Sequence, residues 1–310
     1  MELEHKHVLI NDVNIHYVAA GPTYSKALTG PTFIFLHGFP EYWQTWHNQL
    51  VYFSKEHHVI APDLPGYNLS DKPQDVSFYQ LPNLIKFMAN FIETVSPSEK
   101  VHLIAHDWGG AIAWPLAAFY PQLIEKLVII NAAHPSTFTR EMITNPVQRA
   151  KSAYIHDLIR DDAEPLLSKE NYQYLSEKMM VSSDLNVFNE KIKERYRQVW
   201  RQPGAVRGML QYYRAMPQLA AITEDKQHKD VDSTGPVKNT DKMKIPSIRI
   251  NVPTLILWGE QDQAFVIENL NGVEAFVPDC TVERFENASH WLMHEKPTEI
   301  NKAIDLFIKT

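Results

Sequence analysis

Five short runs dense in Val, Ile, Leu and Phe punctuate the two ends of this chain: "TFIFLHG" (32–38), "HHVIAPD" (57–63), "KVHLIAHD" (100–107), "KLVIINA" (126–132) and "TLILWGEQD" (254–262). Apolar runs of this length without alternation suit strands covered on both faces, as in a parallel sheet, and helix-length segments separate them. Ahead of them, "HVLINDVNIHYVAAG" (7–21) reads as an antiparallel hairpin turning at Asn11-Asp12. The pattern predicts an α/β sheet with an antiparallel N-terminal edge.

From Ser136 to about Gln218 the strand signal vanishes, and stretches such as "KSAYIHDLIR" (151–160) and "QPGAVRGMLQYYRAM" (202–216) are helical, charged and rich in tyrosine. Strands resume only at Pro253. A helical insertion over a discontinuous core follows from that order: core segments 1–135 and 246–310, a helical cap at 136–220, and a surface or partly disordered loop at 221–245, where large apolar residues are nearly missing. The chain contains no internal repeat and no low-complexity tract.

Composition narrows the partners. With 44% apolar residues over 310 positions there is ample material for a buried core. A formal charge of −7 without any basic run argues against nucleic acid or an anionic membrane surface and favours a small neutral ligand. No stretch approaches the ~18 apolar residues of a membrane span, and "MELEHKHVLI" has no apolar leader core. A single cysteine, Cys280, leaves no internal disulfide, and the chain reads as cytoplasmic.

The chemistry starts at "LIAHDWGGAIAW" (103–114), where a strand runs through small-x-Asp-x-Gly into a helix. That sharp turn pushes one side chain out at the carboxyl edge of a parallel sheet. Many enzymes of this pattern hold serine there; this chain holds Asp107. Asp262 lies just past the run "TLILW", where open α/β sheets place their sites, although taken alone it fits a helix N-cap equally well. His290 falls in a loop between the last strand and the last helix.

Together "HGFPEYW" (37–43), "DLPGYNLSDKP" (63–73), "AHDWGG" (105–110), "WGEQD" (258–262) and "NASHW" (287–291) resemble, along most of the chain, the α/β-hydrolases of the epoxide hydrolase and haloalkane dehalogenase branch. Two positions depart from that pattern: Ala105 and Asn68 stand where relatives usually or often have glycine. Alanine is still small enough for the turn, and asparagine tolerates positive φ. The resemblance implies a triad of Asp107, Asp262 and His290, in the nucleophile, acid, histidine order of this fold. It also implies backbone oxyanion donors at Phe39 and Trp108, and two cap tyrosines, Tyr154 and Tyr213, that hydrogen-bond an epoxide oxygen. Tyr212 and Tyr172 are the nearest rivals for those two places. Trp43, Phe39 and Trp291 are candidate walls of an apolar pocket. His37 and His106 read as loop ties, and neither His57-His58 nor His5 and His7 has the surrounding ligands of a metal site.

An aspartate nucleophile suits an sp3 carbon. Attack by serine there would leave an inert ether, whereas attack by a carboxylate leaves an ester that water activated by a histidine can hydrolyse. The expected activity is therefore cofactor-free and metal-free conversion of a small apolar epoxide and water to a vicinal diol, with a homodimer as the candidate assembly. Haloalkane or haloacetate dehalogenation uses the same nucleophile. It is disfavoured because Phe39 has no side-chain donor after "HG" and no cationic residue follows Asp107. A serine esterase conflicts with Asp107, and a non-catalytic ligand-binding protein on this fold is the alternative from another class.

Overall fold

A computed structural model describes residues 3–22, 31–97, 99–182, 184, 187–216 and 243–310. The hairpin forms as the pattern predicts: β1 (Glu4–Ile10) and β2 (Val13–Ala20) pair antiparallel. Asn11 and Asp12 between them both take positive φ, 46° and 65°. A two-residue hairpin turn needs that backbone, and Asn and Asp tolerate it better than other side chains do.

The sheet continues with β3 (Thr32–Leu36), β4 (Val59–Pro62), β5 (Val101–His106), β6 (Ile124–Ile130), β7 (Thr254–Gly259) and β8 (Cys280–Phe285). Its order is β1-β2-β4-β3-β5-β6-β7-β8; every pairing from β4 through β8 is parallel, and β2 joins β4 antiparallel. Each residue of β3, β4, β5 and β7 is buried, whereas edge strand β8 exposes its middle, so the unbroken apolar runs mark the strands covered on both faces. Helices α1 (His47–Phe53), α2 (Leu81–Val95) and α3 (Trp108–Phe119) follow β3, β4 and β5.

Between β6 and β7 the described chain is helical: α4 (Pro135–Thr144), α5 (Pro146–Lys151), α6 (Ile155–Leu158), α7 (Ala163–Gln173), α8 (Glu190–Trp200) and α9 (Ala205–Arg214). The expected loop at 221–245 lies almost wholly outside the described residues. The insertion is seated on the core by long-range bonds. The Trp200 indole donates to Pro40 O at 2.8 Å, the Tyr212 hydroxyl to Pro65 O at 2.7 Å, and Gln211 Nε2 to Gln74 O at 3.0 Å. A Cβ on Gly208 would stand 2.3 Å from Gly66 O, so α9 rests backbone to backbone on the loop after β4. Two closing helices, α10 (Leu292–Glu295) and α11 (Pro297–Ile308), complete the core. Among the described residues no helix is long and apolar enough to cross a membrane.

Candidate active site

β5 lies between β3 and β6, so its carboxyl end opens at the middle of the sheet, and Asp107 occupies that end. Its backbone is at φ 49°, ψ −118°, a conformation that costs a non-glycine residue about 1–3 kcal/mol and turns the side chain away from the sheet. The neighbouring glycines make the turn feasible. A Cβ on Gly109 would lie 2.4 Å from Leu36 O, and one on Gly110 2.3 Å from Ala132 Cβ, so only glycine lets α3 leave the strand at this angle. Gly38 has the same role opposite: its Cβ would meet the Asp107 side chain at 2.3 Å, and the close passage brings the Phe39 amide to Asp107 Oδ1 at 2.7 Å.

His290, after β8, places Nε2 3.7 Å from Asp107 Oδ2, and its Nδ1 lies 2.9 Å from Asp262 Oδ2. Asp262 follows β7 and is fully buried, with every acceptor site directed: Oδ1 accepts from the Ala264 and Phe265 amides at 2.6 and 2.9 Å, and Oδ2 accepts from Asn131 Nδ2 at 2.7 Å. Burial opposes ionisation of Asp262, but the His290 charge and the surrounding donors outweigh it and hold its pKa below the usual value. Burial likewise opposes the imidazolium of His290. Asp262, then Asp107 and Glu41, overcome that and raise its pKa to about 9.

Tyr154, between α5 and α6, and Tyr213, on α9, come down from the insertion onto Asp107. Their rings meet edge to face with centroids 6.2 Å apart. Burial, reinforced by the Asp107 charge, pushes both phenols above their ordinary pKa, so both stay protonated. The Trp108 indole meets the Tyr213 ring edge-on at 5.1 Å. Tyr212 points the other way, to Pro65 O, and Tyr172 packs on Trp200.

Two cavities open on either side of this cluster. The larger, about 330 Å3, is walled by apolar side chains such as Leu81, Ile85, Phe138, Ile155 and Ile248. The smaller, about 200 Å3, is bordered by Phe39, His290 and Trp291 together with Tyr174, Lys178 and Gln263. Asp107, Tyr154, Tyr213 and Ala264 border both. Of the anticipated pocket residues, Trp291 and Phe39 line the smaller cavity, whereas Trp43 lines neither: its amide donates to Asp63 Oδ1 at 3.0 Å and its ring packs on His5. Trp43 opens the short turn Trp43–Trp46 and is itself buried.

Sequence reasoning tied His37 and His106 to loops, and the bonds are specific. His37 Nε2 accepts from the Leu64 amide at 3.0 Å; His106 Nε2 meets His290 O at 2.9 Å, and its Nδ1 meets Glu41 Oε2 at 3.1 Å. Glu41, wholly buried, also binds Thr45, Tyr196 and His294, and the two histidines hold its carboxyl below its usual pKa against the cost of burial. Three supports escaped the sequence reading: Glu41, Asn131 and Gln148. Asn131 bonds Gly259 N and O as well as Asp262, joining β6 to the acid loop. Buried Gln148 of α5 donates to Ala264 O at 2.8 Å and to Ser152 Oγ, and accepts from the Val266 amide and Asn269 Nδ2. The visible signals were slight: a polar residue directly after an apolar run for Asn131, a carboxylate inside "HGFPE" for Glu41, and none for Gln148.

A family profile described as "alpha/beta hydrolase fold" matches residues 31–297. "AB hydrolase superfamily protein YfhM" of Bacillus subtilis is 33% identical, covering 96% of this chain and 96% of that protein. "Epoxide hydrolase 4" of Mus musculus is also 33% identical, over 98% of this chain and 79% of its own length. Among solved structures, a variant of an epoxide hydrolase from Bacillus megaterium, complexed with its product (R)-3-[1]naphthyloxy-propane-1,2-diol, superposes with a TM-score of 0.82 at 32% identity, covering 98% of this chain and 100% of that one. By sequence over its full length and by fold, the chain belongs to the α/β-hydrolase fold family and stands within it beside the epoxide hydrolases.

Proposed function

We propose that this protein is an epoxide hydrolase acting through an ester on Asp107. One observation carries the reading: Asp107 and two protonated phenols, Tyr154 and Tyr213, face each other at the waist between two cavities, where a carboxylate and a pair of acids can act on opposite ends of one C–O bond. Oδ2 of Asp107 attacks a ring carbon, the ring C–O bond breaks, and the alkoxide takes a proton from the tyrosine pair. Oδ1, held by the Phe39 amide, becomes the ester carbonyl oxygen and carries the negative charge when water adds. With the Trp108 amide at the start of α3 as second donor, each is asked to supply roughly 10²–10³ in rate.

Water attacks the ester carbonyl carbon while His290 Nε2 takes its proton, and Asp262 holds the imidazolium. The tetrahedral oxyanion then collapses, the bond from the Asp107 carboxyl carbon to Oδ2 breaks, and the diol leaves with Oδ2 and a proton from His290, while the oxygen from water completes the new Asp107 carboxylate. The free enzyme keeps His290 protonated through neutral pH. Esterification removes the Asp107 charge, one of the charges raising its pKa, so the ring gives up its proton to solvent, from which the tyrosinate regains one, and is then free to act as a base. Halide displacement is less well supported, because Phe39 reaches Asp107 only through its backbone amide and has no side-chain donor for a halide. The diol found on the Bacillus megaterium relative is the product class expected here.

The test is a panel of styrene-type and aliphatic epoxides, haloalkanes and fluoroacetate, followed for diol and halide, with intact-mass analysis of His290→Ala after incubation. Diol without halide, and a mass increase of one substrate mapped to Asp107 in the variant, are expected. Halide release, or modification elsewhere, overturns the reading.

A further inference from the structure

One wall of the larger cavity is a single face of α3: Trp108, Ala111, Pro115 and Phe119, spaced three or four apart, all border it. Apart from Trp108 and the residues at the waist, the polar side chains of this cavity are the hydroxyls of Thr139 and Ser152. Both are engaged. Thr139 donates to Pro135 O at 2.8 Å, and Ser152 Oγ accepts from Gln148 Nε2 at 3.0 Å.

The backbone of the same wall is interrupted. In an α-helix the amide of residue i+4 donates to the carbonyl of residue i, and Pro115, buried inside α3, has no amide N–H to give. Ala111 O therefore lacks its helical donor, while the amides of Trp114 and Leu116 point in helical register to Gly110 and Ile112. Among the described residues no side chain and no amide of another element bonds it. The proline ring also presses on the carbonyl four residues back and tilts it off the helix axis. A helix carbonyl lies between its own residue and the one four later, and here both of those residues border the cavity, so the free oxygen is on the cavity side. Ala111 stands one turn after the nucleophile, its own amide donating to Asp107 O at 2.9 Å.

We propose that Ala111 O, freed by Pro115, is a hydrogen-bond acceptor for the substrate, so that the epoxide arm in the larger cavity carries a donor, a hydroxyl or an N–H, close to the ring. The proposal rests on the epoxide hydrolase reading for its chemistry, and on the helix break at Pro115 for its selectivity. Four residues of helix separate Asp107 from Ala111, about 6 Å of rise, which sets the donor about two to four carbons from the attacked ring carbon. A pure hydrocarbon arm would bury the carbonyl unpaired against methylene groups, and an ether oxygen would face it acceptor to acceptor. The bond lies outside the reacting atoms and is held equally before and during ring opening, so it acts on KM more than on kcat.

The experiment compares a trans-epoxide bearing a hydroxyl about three carbons from the ring with its methyl ether, on the parent, Pro115→Ala and Pro115→Val proteins. Alanine and valine both restore the amide that closes the helical bond to Ala111 O, and valine keeps nearly the bulk of proline. The parent should prefer the alcohol by about 5-fold in kcat/KM, carried mostly by KM, as one hydrogen bond provides. In both variants the alcohol-to-ether ratio should fall to about one. An ether that matches the alcohol in the parent, or a preference kept in both variants, overturns the proposal. Binding of the triol derived from the alcohol, and of its methyl ether, measured by calorimetry on the same three proteins, tests the acceptor without turnover. If neither epoxide is opened yet the triol binds more tightly than its ether and loses that advantage in Pro115→Ala, the epoxide hydrolase reading fails and the acceptor stands. If both epoxides are opened without preference, the acceptor fails and the reading stands.

Discussion

The raised pKa of His290 ties the candidate site to the stability of the whole molecule. An unfolded-chain histidine titrates near 6.5, whereas His290 in the fold titrates at about 9. Between those values the native state holds one proton more than the unfolded chain, so the unfolding free energy falls as pH rises. The stabilisation is fully present below pH 6.5 and is lost as pH passes through 9. One pKa unit corresponds to about 1.4 kcal/mol, so the gap of some 2.5 units corresponds to about 3 kcal/mol, a large share of a typical stability of ~5–15 kcal/mol. Other buried groups leave this window clear. The pKa of Asp262 is lowered, so its contribution is lost only in acid, and the buried histidines His37, His102 and His134 are lowered too, so theirs change below 6.5. Urea unfolding at half-unit steps from pH 6 to 10, on the parent and on His290→Gln, isolates the effect, because lysines and tyrosines titrating toward pH 10 cancel in the difference. The parent should lose about 3 kcal/mol more than the variant across the window. Parallel curves would show that His290 is not held as an imidazolium by its two carboxylates, and the account of how esterification turns it into a base would go with them.

Two further changes probe the cap and its link to the core. Tyr154→Phe and Tyr213→Phe should each slow single-turnover alkylation by an epoxide while the other partly compensates, and the double variant should lose ~10²–10⁴; near-parental alkylation by a folded double variant reduces the pair to packing. Gln148→Leu removes an amide that satisfies four partners across α5 and the acid loop, leaving the buried Val266 amide unpaired at about 1–3 kcal/mol. Its thermal midpoint should fall, and hydrolysis of the ester should slow more than its formation; equal slowing of both steps would argue that Gln148 does not steady Asp262.

Much of this protein is legible in local stretches because local sterics fix them. The buried strands follow from unbroken runs of β-branched and large apolar residues, the hairpin from two residues tolerant of positive φ at Asn11-Asp12, and the turn at Asp107 from Gly109 and Gly110, where no Cβ fits. Asp107 could be picked out from its strand-turn-helix pattern, whereas Asp262 taken alone fits a helix N-cap equally well and His290, in the loop after β8, is one of 14 histidines, so both were singled out by the resemblance to the α/β-hydrolases. What joins them was not legible. Gln148 and Ala264 are 116 residues apart, His106 and His290 are 184 apart, and Glu41 and His294 are 253 apart, so those bonds depend on how six inserted helices and a parallel sheet pack against each other. The same holds for Trp43, an aromatic beside the motif loop that turns toward Asp63 and His5, and for the unequal cavities with Lys178 at one of them. Residue spacing determines which way a backbone turns within a few positions. Which side chains meet across a hundred or more, and what space remains between them, is settled only when all the layers close together, because a cavity or a buried polar bond belongs to every surface around it.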